Sequence, residues 1–571
     1  MKNMYILGLH NDEDSGVCLL KNGQIIDVIN EERLTRKKLQ GGFPTLSLKY
    51  LLKKNNLKIE NIDYFAYGWH GRQHDYSSYF LKLLNRVLTC NLKNKKIYDL
   101  IFERLRVEFG RDNTTYNKFL ASIKKHKIPI EKTHFFDHHA SHAWSAFSCS
   151  PYKKAIVFTM DARGDLKSAS VSIADQKYGL KELTNNLSFD SLGFLYGQIT
   201  YYLGFKPHRH EGKVTGLAAY GNPKKTKHIF EKLIKWDGKK IVSNLGYYRP
   251  FFTNINPDLI KDLKKYSRED IAAGVQYHCE QIVVKFIKYW IKKINRSDIK
   301  SVCLAGGLFA NVKINQKVSE INGVKDLFVF PHMGDGGLTV GAACQLKYKI
   351  FKKTKVKLNS VYFGSKYSDI EIYKELTKFK KKINIKKTND IADVVARSIL
   401  KDQVVGFFQG RMEFGPRALG CRSILYHARD KNVNDWLNKR LRRTEFMPFA
   451  PVTPFKLAKK CYLKWNKKNL NTKFMTQTFK CTDSFVAKHP AVVHIDNTAR
   501  PQVITPKINK IYYDVVSKYC QLSKESSLIN TSFNQHEQPI VCSPKDAVIS
   551  LLSDNVDVLS IGSYIVEKKK I

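Results

Sequence analysis

The sequence predicts an α/β protein of two domains, and three observations carry that prediction. The chain has 571 residues, more than one ordinary hydrophobic core accommodates. A unit of strand, polar loop, strand, turn and strand occurs twice, over 5–29 and again from 155 to 183, and internal repetition of this kind marks a duplicated architecture. A lysine-rich stretch of weak periodicity, 346–359, then separates this region from a second half of different texture. The domains are therefore placed at residues 1–350 and 360–571.

Composition narrows the class. Hydrophobic residues make up 43% of the chain, the proportion of an ordinary globular enzyme. No apolar run reaches membrane-spanning length. The short apolar opening at 4–9 meets Asp12, Glu13 and Asp14 rather than a cleavage site, so a cytoplasmic chain without a membrane span is expected. Eleven cysteines lie scattered with no Cys-x-x-Cys pair, which argues against a disulfide framework or a zinc ribbon. The net charge of +46 is spread over the whole length, and its clusters, such as 378–387 and 568–570, are short. A dedicated nucleic-acid face concentrates its charge, so the spread argues against a nucleic-acid partner while still favouring anionic substrates such as nucleotides.

Taken in order, 5–9 reads as a buried strand and 11–14 as a polar loop. The apolar runs 16–20 and 24–29 are joined by Lys21-Asn22-Gly23. Asn-Gly between apolar runs predicts a tight hairpin, because both residues accept positive φ. Helices are expected at 46–54 and within 81–125. The unit returns as a strand at 155–160, the polar loop Asp161-Ala162-Arg163-Gly164-Asp165, a strand at 168–174, a turn at 175–179 and a third strand from 180. Two such units, each with a carboxylate-bearing loop, are how the actin-like (ASKHA) architecture of actin, sugar kinases and heat-shock chaperones grips nucleotide phosphates. Backbone N–H groups meet phosphate oxygens there, and the carboxylates orient a cation or water.

The stretch 137–147 packs three histidines into five residues. His138 and His142 are four apart, so on a helix both rings leave one face and can share a metal ion. A helix at 192–203 leads to Glu211-Gly212-Lys213, where glycine lets backbone approach a ligand closely. A long amphipathic helix is expected at 270–294. A strand at 301–304 ends in Ala305-Gly306-Gly307 before Asn311, which suits adenosine or phosphate contact at a helix N-terminus. A further strand ends at 328–331, and Asp335 follows on a glycine-rich connection to a helix. With His138 and His142 it completes a two-histidine, one-carboxylate set. Such a set leaves coordination positions open and suits Fe(II), with Zn and Mn also open.

In the second half, a helix at 391–400 and a strand at 403–408 lead into 410–423, where Arg411, Arg417 and Arg422 stand among glycines. That is an anion-binding composition, since arginine forks match phosphate oxygens. A helix at 432–443 ends in Lys439, Arg440, Arg442 and Arg443. Arg500 precedes a strand, and a strand at 527–530 runs into Thr531-Ser532-Phe533-Asn534. Ser543-Pro544 caps a helix, and 556–566 is the closing strand.

Together these stretches, with Pro448-Phe449-Ala450-Pro451 and 498–502, resemble the nodulation, cephem and aminoglycoside O-carbamoyltransferases, in order and across nearly the full length. The resemblance implies an actin-like (ASKHA) N-terminal domain and a C-terminal YrdC-like α/β domain. The second domain is then expected to join carbamoyl phosphate and Mg-ATP into carbamoyladenylate, releasing pyrophosphate. The first is expected to transfer the carbamoyl group to a hydroxyl of a small molecule or sugar. His138, His142 and Asp335 fall on the family's metal ligands, for Fe(II) or another divalent metal.

Nucleotide and anion contacts are implied in the first domain at Asp161, Gly164, Asp165, Glu211, Gly306, Gly307 and Asn311. In the second they are implied at Arg417, Arg422, Arg443, Arg500, Asn530, Ser532 and Asn534. Asp14, His139 and Lys213 are the catalytic candidates, with His139 expected to polarise the carbamoyl carbonyl, act as base or make a structural hydrogen bond. The resemblance also allows a homodimer. Two further readings stand beside it: threonylcarbamoyl transfer to tRNA, and a nucleotide- or RNA-binding regulator with an inactive site. Two departures are visible. Glu13 stands where many relatives have histidine, with His10 three residues earlier, and Met447 stands where many have arginine.

Overall fold

A computed structural model describes residues 3–69, 74–90, 94–443 and 448–569, with the backbone alone at 94–97. Met447 and Lys570 lie outside the described residues. The fold is mixed α/β with several sheets. By its internal packing the chain forms two compact units, Met1–Ile26 with Gly41–Lys357 and Asp27–Gln40 with Leu358–Ile571. The segment Asp27–Gln40 is tied into the second unit by side chains. Arg33 donates to the Gly415 carbonyl at 2.8 Å, Arg36 to those of Ile540 and Pro539, and Asp27 pairs with Arg411 at 2.5 Å. Nothing in the local sequence of 27–40 separates it from its neighbours, because its partners lie nearly four hundred and more positions away.

The first unit carries the duplication as topology. In one sheet Tyr5–His10 and Gly16–Lys21 pair antiparallel, and Gln24–Asn30, which passes into the second unit at Asp27, lies next in order. Tyr64–Tyr67 then lies parallel beside the first strand, and Thr133–Phe135 beside that. In the other sheet Lys154–Gly164, Lys167–Asp175 and Gly179–Leu187 form an antiparallel meander, followed by Ser301–Ala305 and Asp326–Val329 in the same order and directions. The Asn22-Gly23 turn adopts positive φ at both residues, 49° and 75°, as a two-residue hairpin requires.

A helix leaves the fifth strand of each sheet: His138–Cys149 after the first, Leu338–Phe351 after the second. The two helices pack on each other. A Cβ at Gly341 would overlap the Ser141 carbonyl, so the absence of a side chain there sets how closely they cross. Histidines and a carboxylate at the starts of these helices are thus brought together by the duplication itself.

The second unit is built on an eight-stranded mixed sheet. Its order is Ile383–Lys387, Tyr564–Lys568, Val558–Ile561, Val405–Phe408, Arg422–Tyr426, Leu528–Ser532, Ala450–Pro454 and Gln502–Ile504. Alternate residues serve opposite faces, as the strand period of two dictates. Phe407 and Leu425 pack with helices Ile391–Leu400 and Lys510–Ser523, while Phe408 and Ile424 pack with Asp369–Thr377 and Pro544–Leu552.

Several expected elements differ in the structure. The loop expected at 161–165 is instead the end of the strand Lys154–Gly164, whose register shifts between Met160 and Gly164. The turn itself is Asp165-Leu166, both with positive φ. Residues 211–217, to which the sequence assigns no element, form a short helix. The helix expected to reach Arg443 stops at Arg440. The closing strand is two strands, Val558–Ile561 and Tyr564–Lys568, folded back antiparallel at Gly562, whose φ is 53°. All eleven cysteines are free, and no helix among the described residues is long and apolar enough to cross a membrane.

Candidate active site

Asp137 caps the helix His138–Cys149 by accepting the Ala140 N–H at 2.8 Å. One turn of that helix then presents His138 and His142, both fully buried. Their Nε2 atoms are 3.1 Å apart. Asp161 Oδ2 lies 3.1 Å from His142 Nε2 and 3.6 Å from that of His138. Asp335 Oδ1 lies 3.5 and 3.7 Å from the same nitrogens. All four donor atoms fall within 4.8 Å of one another.

The set therefore contains the three expected residues and a fourth, Asp161, which the sequence had suggested for nucleotide contact. The bulge between Met160 and Gly164 brings it there, and spacing along the chain carries no sign of that. Burial alone would raise the Asp161 carboxyl, but hydrogen bonds from His138 and His142 hold it well below the usual range. Burial likewise opposes charge on His138, and the neighbouring Asp335 and Asp161 override it, raising its pKa to about 9.

The surroundings fix this cluster. A Cβ at Gly164 would overlap the His138 ring, and one at Gly307 would touch Asp161 Oδ1 at 3.0 Å. Asp165 accepts the His138 backbone N–H and the His74 Nε2–H, each at 2.6 Å. It thus orients the helix start. His139 is fully buried, with its Nδ1 2.7 Å from Thr159 Oγ1. Burial, reinforced by the charge of His138, pushes its pKa down to about 3, so it is a neutral imidazole.

On the facing loop Asp14 has a φ of 59° and lies 3.1 Å from His332 Nε2. His332 was not singled out in the sequence, although it stands three residues before Asp335. Glu13 pairs with His208 Nδ1 at 2.7 Å. His10 Nε2 meets the Glu13 carbonyl at 3.1 Å, and since a carbonyl only accepts, that nitrogen carries the proton.

The remaining candidates of the first unit take definite places. Glu211 begins its helix and accepts the His208 N–H at 2.6 Å, with burial raising its pKa. Lys213 is buried with its ammonium 5.8 Å from the Phe205 ring centre. Gly306 has a φ of 100° and sits where a Cβ would overlap the Met160 carbonyl. Asn311 caps the helix Val312–Ser319 and donates to Gln276 Oε1 at 2.7 Å.

In the second unit three stretches converge. Asn530 donates to the Ala418 carbonyl at 3.1 Å and to Gln502 Oε1 at 2.7 Å, joining the 410–423 loop, the strand after Arg500 and the strand Leu528–Ser532. Arg417 and Arg500 are half-buried beside this junction in sequence. Arg443 gathers Thr531, Ser532 and Asn534, bonding both their side chains and the Ser532 and Asn534 carbonyls. Arg422 behaves differently from the expected anion contact. It is fully buried, donates to the carbonyls of Gln409, Gly410, Cys421 and Ser365, and stacks 3.6 Å from the Phe408 ring centre. Its guanidinium is committed to protein backbone. Glu413, not considered from sequence, pins the same loop: its Oε1 accepts the N–H groups of Leu419, Cys421 and Arg422 at 2.8, 2.6 and 3.1 Å.

Comparison with known proteins identifies the family. Residues 5–344 match the carbamoyltransferase N-terminus model and residues 396–568 the carbamoyltransferase C-terminus model. The protein MJ1051 of Methanocaldococcus jannaschii is 33% identical, over 99% of this chain and 100% of its own. Nodulation protein NolNO of Sinorhizobium fredii is 30% identical, over 97% of this chain and 79% of its own. Among solved structures, component A of the Acidaminococcus fermentans (R)-2-hydroxyglutaryl-CoA dehydratase aligns with a TM-score of 0.33 at 15% identity, covering 60% of this chain and 96% of that one. With both family models spanning the chain in order, and full-length relatives at this identity, the chain belongs to the carbamoyltransferase family and is a carbamoyl-transferring enzyme.

Proposed function

We propose that this enzyme is an ATP-dependent O-carbamoyltransferase. In this reading the second unit, as a YrdC-like domain, hydrolyses carbamoyl phosphate with one water to carbamate and phosphate, and the carbamate oxygen then attacks the α-phosphorus of Mg-ATP to give carbamoyladenylate as pyrophosphate leaves. The first unit, as an actin-like domain, transfers the carbamoyl group to a hydroxyl of a small molecule or sugar. The convergence of His138, His142, Asp161 and Asp335 supports the reading most directly. Two imidazole nitrogens 3.1 Å apart beside two carboxylates repel through their lone pairs unless a proton or cation lies among them. The nitrogen and oxygen donors suit a divalent ion, Fe(II) or another of the first transition row. Such an ion supplies Lewis-acid charge for the oxyanion that develops on the carbamoyl group.

The remaining groups have roles that follow from their chemistry. Asp14, held by His332 at 3.1 Å, accepts the proton of the attacking hydroxyl. Neutral His139 polarises the carbamoyl carbonyl, since a pKa near 3 makes it a poor base at neutral pH. Lys213 meets the phosphate of the leaving AMP, and Asp161 combines metal binding with closeness to the Gly307 turn. In the second unit Arg417, Arg443 and Arg500 meet the phosphates, and Arg422 holds their loop.

The test needs no acceptor. Purified protein is incubated with ATP, Mg²⁺ and carbamoyl phosphate, and pyrophosphate and an AMP adduct are measured. Formation that depends on carbamoyl phosphate is expected. Formation with threonine and bicarbonate instead would transfer the protein to tRNA modification, and silence with both would leave a nucleotide-binding regulator.

A further inference from the structure

Between the strands Tyr64–Tyr67 and Thr133–Phe135 the first unit carries a helical insertion. The helix Tyr76–Leu88 and the helix Asn94–Leu105, continued by a π-turn at Arg106–Gly110, form a hairpin in which the Tyr76 and Phe109 rings meet edge-on at 5.2 Å. Their inner sides are fixed. Tyr79, Leu83 and Val87 of one helix and Leu100 and Ile101 of the other pack with Leu166, Phe189 and Leu245.

At about 100° per residue, the positions opposite these buried faces are 81 and 88 on one helix and 98 and 102 on the other, with 109 on the π-turn that follows. They hold Leu81, Leu88, Tyr98, Phe102 and Phe109, exposed by 62, 64, 73, 71 and 55%. No other segment among the described residues collects so many large exposed apolar side chains. The insertion is also basic: residues 76–132 contain thirteen lysines and arginines against five aspartates and glutamates. Two of those acids, Glu108 and Asp112, are buried with Arg104 and Arg163, which leaves twelve cations of this stretch against Asp99, Glu103 and Glu131. Lys82 and Arg106 are exposed beside the apolar stripe, as is Asp99.

We propose that this outer face docks the enzyme on an anionic lipid bilayer. Exposed Leu, Tyr and Phe on one side of paired helices, flanked by Lys and Arg, are the composition that settles into the headgroup boundary. There the apolar face is buried and the cations meet lipid phosphates. A second copy of the chain fits less well, because it brings the same basic surface against this one. The proposal goes beyond the reaction and does not depend on it.

The experiment is sedimentation of the full-length protein with phosphatidylcholine vesicles, with and without phosphatidylglycerol, at low and high salt, alongside light scattering of the protein alone. Binding is expected only with phosphatidylglycerol and is expected to weaken with salt. The pair Tyr98→Ser/Phe102→Ser is expected to lose at least about tenfold in affinity with an unchanged melting temperature, since both rings are exposed. Lys82→Glu/Arg106→Glu, which leaves the apolar stripe intact, is expected to lose as much, at about fivefold or more per charge. Absence of binding, equal binding to both vesicle types, or variants that bind like the parent would overturn the proposal. A dimer in solution that the Tyr98→Ser/Phe102→Ser pair splits would assign the face to a second copy instead.

Discussion

An alanine at Gly164 tests His138 without touching it. The added Cβ overlaps the imidazole, so either the ring or the strand end must move. The expected results are loss of bound metal and a destabilisation of about 1–3 kcal/mol, read by metal analysis and thermal unfolding. Gly212→Ala is the control, because its Cβ meets open space. Full metal occupancy in Gly164→Ala would remove His138 from the ligand set. A second residue sets a pH dependence. His489 is buried and stacked on Phe485 at 4.5 Å, and burial pushes its pKa down to about 4. Its unfolded pKa is about 6.5, so as pH falls from 6.5 towards 4 the unfolded chain takes up the proton first. Stability is therefore lost over that window, by up to about 3 kcal/mol from this group. His489→Gln retains an acceptor for the Ser526 N–H, which now meets Nε2 at 3.3 Å. It is expected to flatten the fall of melting temperature with acid, and an unchanged slope would clear His489 of the effect.

At the scale of single elements, the loop 410–423 shows how a sequence motif hides its structural part. Its arginines suggest anion binding, yet Glu413 holds the loop's shape with one oxygen on three backbone N–H groups. Glu413→Ala leaves those buried donors unpaired, and at about 1–3 kcal/mol each the urea midpoint is expected to drop by the equivalent of at least about 3 kcal/mol. Glu413→Gln keeps a carbonyl acceptor and is expected to lose less than half as much. Equal losses would mean that charge, not the acceptor geometry, holds the loop. The histidine helix, whose Asp137 cap appears only in the structure, was legible in sequence because His138 and His142 are one turn apart. Asp161 as a fourth donor was not, because a register shift in the sheet aims it. The hairpin at Gly562 was hidden for a different reason: apolar residues on both sides of the short Gly562-Ser563 reversal read as one continuous run. The partners of Asp14 and Glu13, His332 and His208, come from remote loops that local spacing cannot connect.

Across the whole molecule, the duplication visible in the sequence reappears as two sheets of identical strand order, and it explains why the candidate metal-binding side chains arise at the starts of two corresponding helices. The allocation of Asp27–Gln40 to the second unit stayed invisible, since its arginines bond to carbonyls whose positions only the folded chain brings near. Two compact units also permit the two proposed half-reactions to be tested apart. His142→Ala removes one of four converging donors from the first unit and leaves the second unit's residues unaltered. Its expected phenotype is loss of metal and at least a hundredfold loss of carbamoyl transfer, since Lewis-acid stabilisation is worth several kcal/mol. Pyrophosphate release from carbamoyl phosphate and ATP is expected to continue at close to the parental rate. Chelation of the parent enzyme, followed by Mg-ATP, is expected to reproduce the same split, and added Fe(II) to restore transfer in the parent but not in His142→Ala. Measuring both half-reactions on one preparation makes the outcome decisive. Loss of both in His142→Ala, from a protein that still melts like the parent, would mean that the metal cluster serves adenylation as well, and the assignment of one chemistry to each unit would fail.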